Sequence, residues 1–392
     1  MNAQQRTGLD DNELTHRELE PLFQDIASRA PETIIVLTGG EPLMHPELDK
    51  CIASGVKAGL KMVIGTNGLL LSEDKIIEYK KMGLSGLGVN FHSVNPEQHD
   101  RYMGTFNAYE KMTKAIKLCI KHDLHVQIHN TVTRSNYKQI RDIANFSKEI
   151  GASIVNFFFL VCVGRGESSM DLSPDLYEES LTTIAQLQTE MKGIMVQSRC
   201  TPHFKRILYE RNPDSPYTRA TGYNGGGCPA ASHYCRIDPK GEVTPCPYMN
   251  LSAGNIRETT FWDIWDNAIL FKSMRNKDLL LGRCSECEYK LLCGGCRARS
   301  LTQSGNLMAE DPNCNYIPQG GKEIPVMDIH LTDQVTWTPE AKERLKKIPI
   351  FLRGLIKKKL EERAVAEGVP VTKDLMQRHK IEREKELGIK LG

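Results

Sequence analysis

Eight of the twelve cysteines crowd between Cys228 and Cys314, spaced Cys228-x6-Cys235-x10-Cys246, then Cys284-x2-Cys287-x5-Cys293-x2-Cys296, then Cys314 after seventeen more residues. The N-terminus is polar and has no signal-peptide pattern, so the thiols are expected in a reducing compartment, where clustered thiolates bind metal rather than pair as disulfides. Eight thiolates make two four-ligand sites. Zinc and [4Fe-4S] clusters both accept four thiolates, and spacing alone does not choose between them. Cys51, Cys119, Cys162 and Cys200 are scattered and read as ordinary buried cysteines.

A second constellation is "LTGGEP", Leu37 to Pro42, directly after a strand-like apolar run. Gly39 and Gly40 let backbone amides approach a bound group closely. Glu41 sets a carboxylate at the C-terminal end of a parallel strand, where it suits an ammonium group. Taken alone, the motif reads first as a tight turn with a solvated glutamate. Two further strand ends repeat the theme, however: "GTNG" with Thr66 and Asn67, and "NFHS" with Asn90 and His92. Polar groups thereby gather on one rim.

Positioning such a rim requires parallel strands alternating with helices. Between Thr33 and about Val163 the chain supplies five apolar, β-branched runs: "TIIVLT", "KMVIGT", "LGVNFH", "HVQIHNTV" and "SIVNFFFLV". The intervening stretches have helical apolar spacing and several close on glycine, which is the pattern of βα repeats. "HRELEPLFQDIASRA" adds a helix before the first strand, and "SPDLYEESLTTIAQLQTEMKG" a sixth helix capped by Ser173. The glycine-rich "RNPDSPYTRATGYNGGG" marks a boundary to the cysteine region, and a separate unit begins at about Val335. The expected domains are 1–200, 201–320 and 335–392. A net charge of +2 gives no signal for nucleic acid, and no apolar run reaches the ~18 residues that cross a bilayer. The expected setting is cytoplasmic, with no nucleic-acid or membrane partner.

With the cysteine series behind it, this βα domain resembles the radical S-adenosylmethionine enzymes that carry a SPASM-type C-terminal domain. Gly241-x4-Cys246 followed by C-x2-C-x5-C fits their pattern, although their usual final C-x3-C is here the shorter Cys293-x2-Cys296. The resemblance implies a (β/α) partial TIM-type barrel, a cluster domain and two auxiliary [4Fe-4S] clusters. By position, Cys228, Cys235, Cys246 and Cys296 would hold one cluster, and Cys284, Cys287, Cys293 and Cys314 the other. It also assigns Gly39, Gly40 and Glu41 to the amino group of S-adenosylmethionine, with Thr66, Asn67, Asn90 and His92 lining the same cofactor. "FFFLVCVGRG" (Phe157 to Gly166) and "CGGCRARS" (Cys293 to Ser300) are similar to the branch that modifies tetrapyrroles in alternative haem and nitrite-reductase haem biosynthesis.

The tail "WTPEAKERLKKIPIFLRGLIKKKLEERAVAEGV" resembles the small C-terminal domain of the light-independent protochlorophyllide reductase B subunit. On physics alone it is a basic amphipathic tail packing on itself. Arg353, Lys357, Lys358 and Lys359, near Ile350, Phe351 and Leu352, would also suit a planar macrocycle bearing carboxylates.

The implied function is modification of a tetrapyrrole propionate or acetate by a 5′-deoxyadenosyl radical, with a reducing donor such as a ferredoxin or flavodoxin. A radical-generating C-x3-C-x2-C should precede the GGEP turn, yet no cysteine lies before Cys51. Either the start lies inside a longer reading frame, or radical chemistry has been lost. The first is favoured, because "TIIVLT" would otherwise be a hydrophobic strand with an uncovered edge. The barrel's first strand and its radical [4Fe-4S] cluster would then belong to the missing N-terminus. As written, the chain is expected not to start the reaction. A peptide-modifying maturase and a non-catalytic metal-binding scaffold are the competing readings.

Overall fold

The computed structural model describes residues 12–31, 33–164, 166–213, 218, 227–326, 335–348, 350–367 and 369–387. Helix α1 (His16–Arg29) opens on a capping box, in which the Thr15 hydroxyl accepts from the Glu18 amide and the Glu18 carboxylate accepts from Thr15 N at 2.9 Å. Its buried face is Leu22, Phe23 and Ile26, at helical spacing. It packs on α2 (Leu48–Lys57).

Six strands follow: β1 (Ile34–Leu37), β2 (Lys61–Thr66), β3 (Gly86–Asn90), β4 (Val126–Val132), β5 (Ile154–Phe159) and β6 (Met195–Arg199). They pair in parallel and in sequential order. Crossovers of one hand between sequential strands put all the helices on one face and leave the other as a barrel interior. The crossovers carry α2, α3 (Glu73–Met82), α4 (Pro96–Met103) with α5 (Ala108–Lys121), α6 (Ile140–Glu149) and α7 (Pro174–Glu190). In β4 the alternation is strict: Val126, Ile128, Asn130 and Val132 are buried under helices, and Gln127, His129 and Thr131 face the other way.

The sequence reading gives five strands, and the structure adds a sixth. β6 reads "MVQSR", with two aliphatic residues before three polar ones, too weak an apolar run to stand out. Helix α4 and the short α8 (Phe204–Arg211) are also additions. Ser173 does occupy the N-cap of α7, but its hydroxyl makes no capping bond; Pro174 at the first helical position sets the start instead. Among the described residues β1 pairs only with β2, and Val36 is 40% exposed, so the edge foreseen from "TIIVLT" is there.

The cysteine region forms a small antiparallel sheet, β7 (Arg236–Ile237), β8 (Glu242–Thr244) and β9 (Gly254–Asn255), followed by α9 (Phe261–Asn267), α10 (Ile269–Arg275), α11 (Arg283–Glu286) and α12 (Arg297–Ser304). Val243, Met249, Ile264, Phe271 and Met274 make its core, together with Cys246 and Cys296. It is fastened to α1 by Trp262, whose Nε1 donates to the Asp25 carbonyl at 2.7 Å and whose ring lies under Arg29. The glycine-rich boundary stretch falls largely outside the described residues.

The last unit is three helices, α13 (Pro339–Lys346), α14 (Ile350–Glu367) and α15 (Lys373–Leu387), around Ala341, Leu360, Ala364, Val371, Leu375 and Met376. No helix among the described residues is long and apolar enough to cross a membrane.

Candidate functional site

At the end of β1 the chain turns through Gly39 at φ +142°, a conformation that disfavours a side chain. Nothing lies within 4 Å of where a Cβ would stand on Gly39 or Gly40, so the turn faces open space. Glu41 folds back across the sheet. It accepts from Thr66 Oγ1 at 2.6 Å, Asn67 N at 2.8 Å and Leu43 N at 3.1 Å. Thr66 Oγ1 in turn accepts from Gly68 N at 3.0 Å. Glu41, Thr66 and Asn67 are thus one bonded unit spanning the β1 and β2 ends. A carboxylate offers about four acceptor positions, so this one has capacity left for an ammonium. Asn90 ends β3, half-buried and in register with His129.

His92 stands apart from this unit. Its ring stacks on Tyr102 at 4.0 Å, its Nδ1 accepts from Thr131 N at 3.4 Å, and its carbonyl accepts from Asn136 Nδ2 at 2.9 Å. Burial, with His99 beside it, pushes its pKa down to about 3. It is a neutral part of the wall behind the rim.

The barrel interior holds polar residues that the sequence reading passed over. Arg199 Nε donates to Asn156 Oδ1 at 3.0 Å and its guanidinium also reaches Gln197 Oε1, while Asn156 Nδ2 donates to Gln127 Oε1 at 3.1 Å. His129 fills the space over Gly88, where an added Cβ would stand 2.4 Å from Cε1. Burial and then Arg199 hold the His129 pKa down to about 4. The available signal was polar residues at alternate positions of "HVQIHNTV" and "MVQSR".

The thiols fall into two groups. Cys284, Cys287, Cys293 and Cys314 line one cleft with His203, Gly294, Gly295 and Asp311; its empty space, counted out to solvent, is about 410 Å³. Gly294 and Gly295 are both left-handed, and a Cβ on Gly295 would press on Cys284 Sγ at 3.4 Å and on Arg297 Nη2 at 2.5 Å. Gly295 N donates to Cys293 Sγ at 3.4 Å. Burial, then Cys314 and Cys284, push the Cys293 thiol well up. Thiols so placed ionise together only around a cation, which is what an iron–sulfur core supplies.

In the second region, burial raises the Cys246 thiol, with Cys296, Cys228 and Cys200 acting on it in turn. The same Cys228 and Cys200 act on Cys296. Cys200 packs against the same apolar cluster as these thiols rather than apart from them. Cys235, by contrast, is pushed up to about 12 by burial, and the charge acting on it is that of Arg275.

A buried ion pair joins the two groups. Asp311 is 0% and Arg299 1% exposed, with Arg299 Nη1 at 3.2 and 3.0 Å from the two carboxylate oxygens. Asp311 accepts from Cys296 N at 2.8 Å through its carboxylate and from Cys314 N at 3.1 Å through its carbonyl. Arg299 Nη2 donates to the carbonyls of Cys200 at 3.0 Å and Leu160 at 3.3 Å. Nearby, Arg297 Nε and Nη2, Arg299 Nε and both ring nitrogens of His203 are buried without a hydrogen-bond partner. Inorganic sulfides would accept such donors. Among the described residues no three His, Cys, Asp or Glu side chains converge as ligands of a single metal ion do. The unpartnered buried N–H groups beside the thiols fit the sulfides of a cluster, acceptors that a zinc ion held by four thiolates does not add.

Comparison with known proteins agrees. The Radical SAM superfamily profile matches residues 2–147, an iron–sulfur cluster-binding domain profile (SPASM) residues 228–288, and that of the proto-chlorophyllide reductase 57 kD subunit residues 337–380. The chain is 36% identical over 311 residues to the AdoMet-dependent heme synthase of Methanosarcina barkeri, covering 78% of this chain and 88% of that protein. It is 33% identical over 294 residues to the AdoMet-dependent heme synthase of Nitratidesulfovibrio vulgaris, covering 73% and 80% respectively. Among solved structures, Streptococcus suis SuiB bound to S-adenosylmethionine superposes with a TM-score of 0.63 at 17% identity, over 79% of this chain and 72% of that one, a likeness of fold.

Proposed function

Since the chain belongs to the radical SAM superfamily, in its SPASM-bearing, tetrapyrrole-modifying branch, we propose that its reaction is oxidative conversion of a tetrapyrrole propionate or acetate side chain. The observation that carries this is the 36% identity with a heme synthase across 88% of that protein. S-adenosylmethionine and iron–sulfur clusters are the cofactors of this family, the first supplying the hydrogen-abstracting species and the second an electron acceptor.

The chain's own residues divide the remaining work. The Gly39–Gly40 turn leaves space for the methionine end of the cofactor, and Glu41, fixed by Thr66 and Asn67, takes its ammonium. In the barrel, Arg199 presents a guanidinium on the interior face beside Asn156 and Gln197, the chemistry that grips a carboxylate in bidentate fashion. His129, kept neutral, packs beside Phe158 at 5.1 Å and lines that space. Converting a propionate to a vinyl group releases CO2 and takes one hydrogen atom and one electron from the substrate, so the acid must be held with its β-carbon facing the rim. A small redox protein of ferredoxin or flavodoxin type is the proposed donor.

The 392 residues hold no C-x3-C-x2-C. By themselves they are expected to bind an iron porphyrin and S-adenosylmethionine without forming 5′-deoxyadenosine under dithionite. Absorbance titration with iron coproporphyrin, against a cysteine-containing peptide as control, is the test. Binding of the peptide and not the porphyrin would overturn the substrate class.

A further inference from the structure

We infer that Cys200, at the end of β6, is the fourth ligand of the first metal-binding group, standing with Cys228, Cys246 and Cys296 in the place that the family resemblance gives to Cys235. The inference rests on the reading that these thiols hold an iron–sulfur cluster, and it assigns a ligand from the barrel rather than from the cysteine-rich region.

Three observations converge on it. Cys200 packs into the hydrophobic cluster built around Cys246 and Cys296, with Cys228 beside it. Tyr248, two residues beyond Cys246, packs against the same cluster. Cys235 also touches that cluster, but it packs equally against the barrel's own core and faces Arg275, whose Nε and Nη2 are committed to the Ala231 and Trp265 carbonyls at 2.7 Å. That is the setting of a buried cysteine acting as a small apolar side chain.

The backbone gives the second argument. Cys200 sits at φ +62°, one of five non-glycine residues with positive φ among those described. The left-handed region is strained for a residue with a Cβ, and glycine or asparagine would occupy it at less strain. Arg299 holds the Cys200 carbonyl at 3.0 Å and the Ser198 and Thr201 hydroxyls bond each other across the turn, so the conformation is enforced from both sides. What cysteine adds over glycine at such a position is its thiol. Strain maintained by its surroundings is characteristic of residues aimed at a ligand.

The third argument is connectivity. Cys200 directly follows Arg199, so a cluster ligated there is tied to the barrel strand whose guanidinium faces the interior, one residue from the proposed carboxylate site. A cluster held by the cysteine-rich region alone would have no such covalent link to the substrate space.

The test is anaerobic production of the full chain as wild type, C200A, C235A and C200S, with iron, acid-labile sulfide, low-temperature EPR and Mössbauer spectra recorded for each. Wild type should hold about eight irons, four per cluster. C235A should keep them, and C200A should lose about four irons or retain a three-iron cluster. In C200A the signal of the Cys284, Cys287, Cys293 and Cys314 cluster should persist and report that the protein is folded. Should C200A not fold, C200S decides, because an oxygen ligand alters the EPR of the cluster it joins while changing one atom. An unaltered C200S spectrum overturns the assignment, as does full iron in C200A or loss of the cluster in C235A. Zinc without sulfide in the wild type is a different outcome, failing the iron–sulfur reading itself.

Discussion

Asp311 and Arg299 form a buried pair whose two halves are not equivalent. Burial alone raises the Asp311 carboxyl, but Arg299 and His203 outweigh it and leave it below its usual range. The carboxylate also receives the amides of Cys296 and Asn313, so without Arg299 it keeps two donors. Arg299 without Asp311 keeps only backbone carbonyls and the face of Tyr177 at 5.0 Å. Removing one partner of a buried pair costs roughly 3–5 kcal/mol, mostly as an uncompensated charge. D311A is therefore expected at the upper end of that range and R299A at the lower, read from urea unfolding of the metal-free chain with linear extrapolation. The reverse order would mean that the carbonyl contacts of Arg299 outweigh its charge. The pair was invisible in the sequence, where "CGGCRARS" shows two arginines beside ligands and nothing indicates that an aspartate twelve residues on closes over one of them.

Elements legible in the sequence were those whose burial is symmetrical. β5, covered on both faces, reads as an apolar run, and α3 announces itself with Ser72 at its start and a left-handed Gly83 at its end. β6 was missed because its interior-facing Gln197 and Arg199 make a half-polar strand look like loop, and α4 because only His99 on it is buried. Cys200 shows the same limit: spacing marks thiols that are close in sequence, and Cys200 meets the Cys246 and Cys296 cluster only through the fold. The start of α1 offers an element-scale test. The Arg257 hydrogen bond at 2.7 Å, and then the Thr15 amide, hold the Glu18 carboxyl down to about 2, against 4.5 for a free glutamate. A carboxyl with a lowered folded-state value contributes stability that is complete above the unfolded value and drains away as pH falls from about 4.5 to about 2. R257A should flatten the acid limb of the melting temperature in that window and leave the pH 7 to 9 region nearly parallel to wild type. Because the pair is exposed, salt should shrink the difference. A melting profile with an unchanged acid slope would show that Glu18 is held by its capping box alone.

Across the whole molecule, two bodies offer basic chemistry to a tetrapyrrole's carboxylates: the barrel interior through Arg199, and the C-terminal helices. The tail has its own core, pinned by Trp337 Nε1 donating to the buried Glu361 at 2.8 Å and by the Trp337–Val371 bridge, so it can be removed without opening the apolar clusters of the barrel and the cysteine region. Its basic residues are partly committed. Arg353 donates to the Lys346 and Ile348 carbonyls at 2.7 and 3.1 Å and so caps the end of α13, and Lys357 lies 3.9 Å from Glu361. The side chains of Ile350, Phe351, Leu352 and Lys358 lie outside the described residues. Arg353 and Arg199 are both hydrogen-bonded within the fold, but Arg199 shares the barrel's interior face with Asn156 and Gln197, so the proposal gives the barrel the side chain that reacts and the tail added affinity for the macrocycle. A chain ending at residue 326 should therefore keep its iron and its melting temperature, and weaken iron-porphyrin binding by no more than about tenfold, ~1.4 kcal/mol. R199A in the full chain should weaken it more, and should erase the preference for porphyrins with propionates over their methyl esters, which the shortened chain retains. If truncation abolishes binding while R199A leaves the ester preference intact, the carboxylates are held by the tail, and the barrel's guanidinium serves the sheet rather than the substrate.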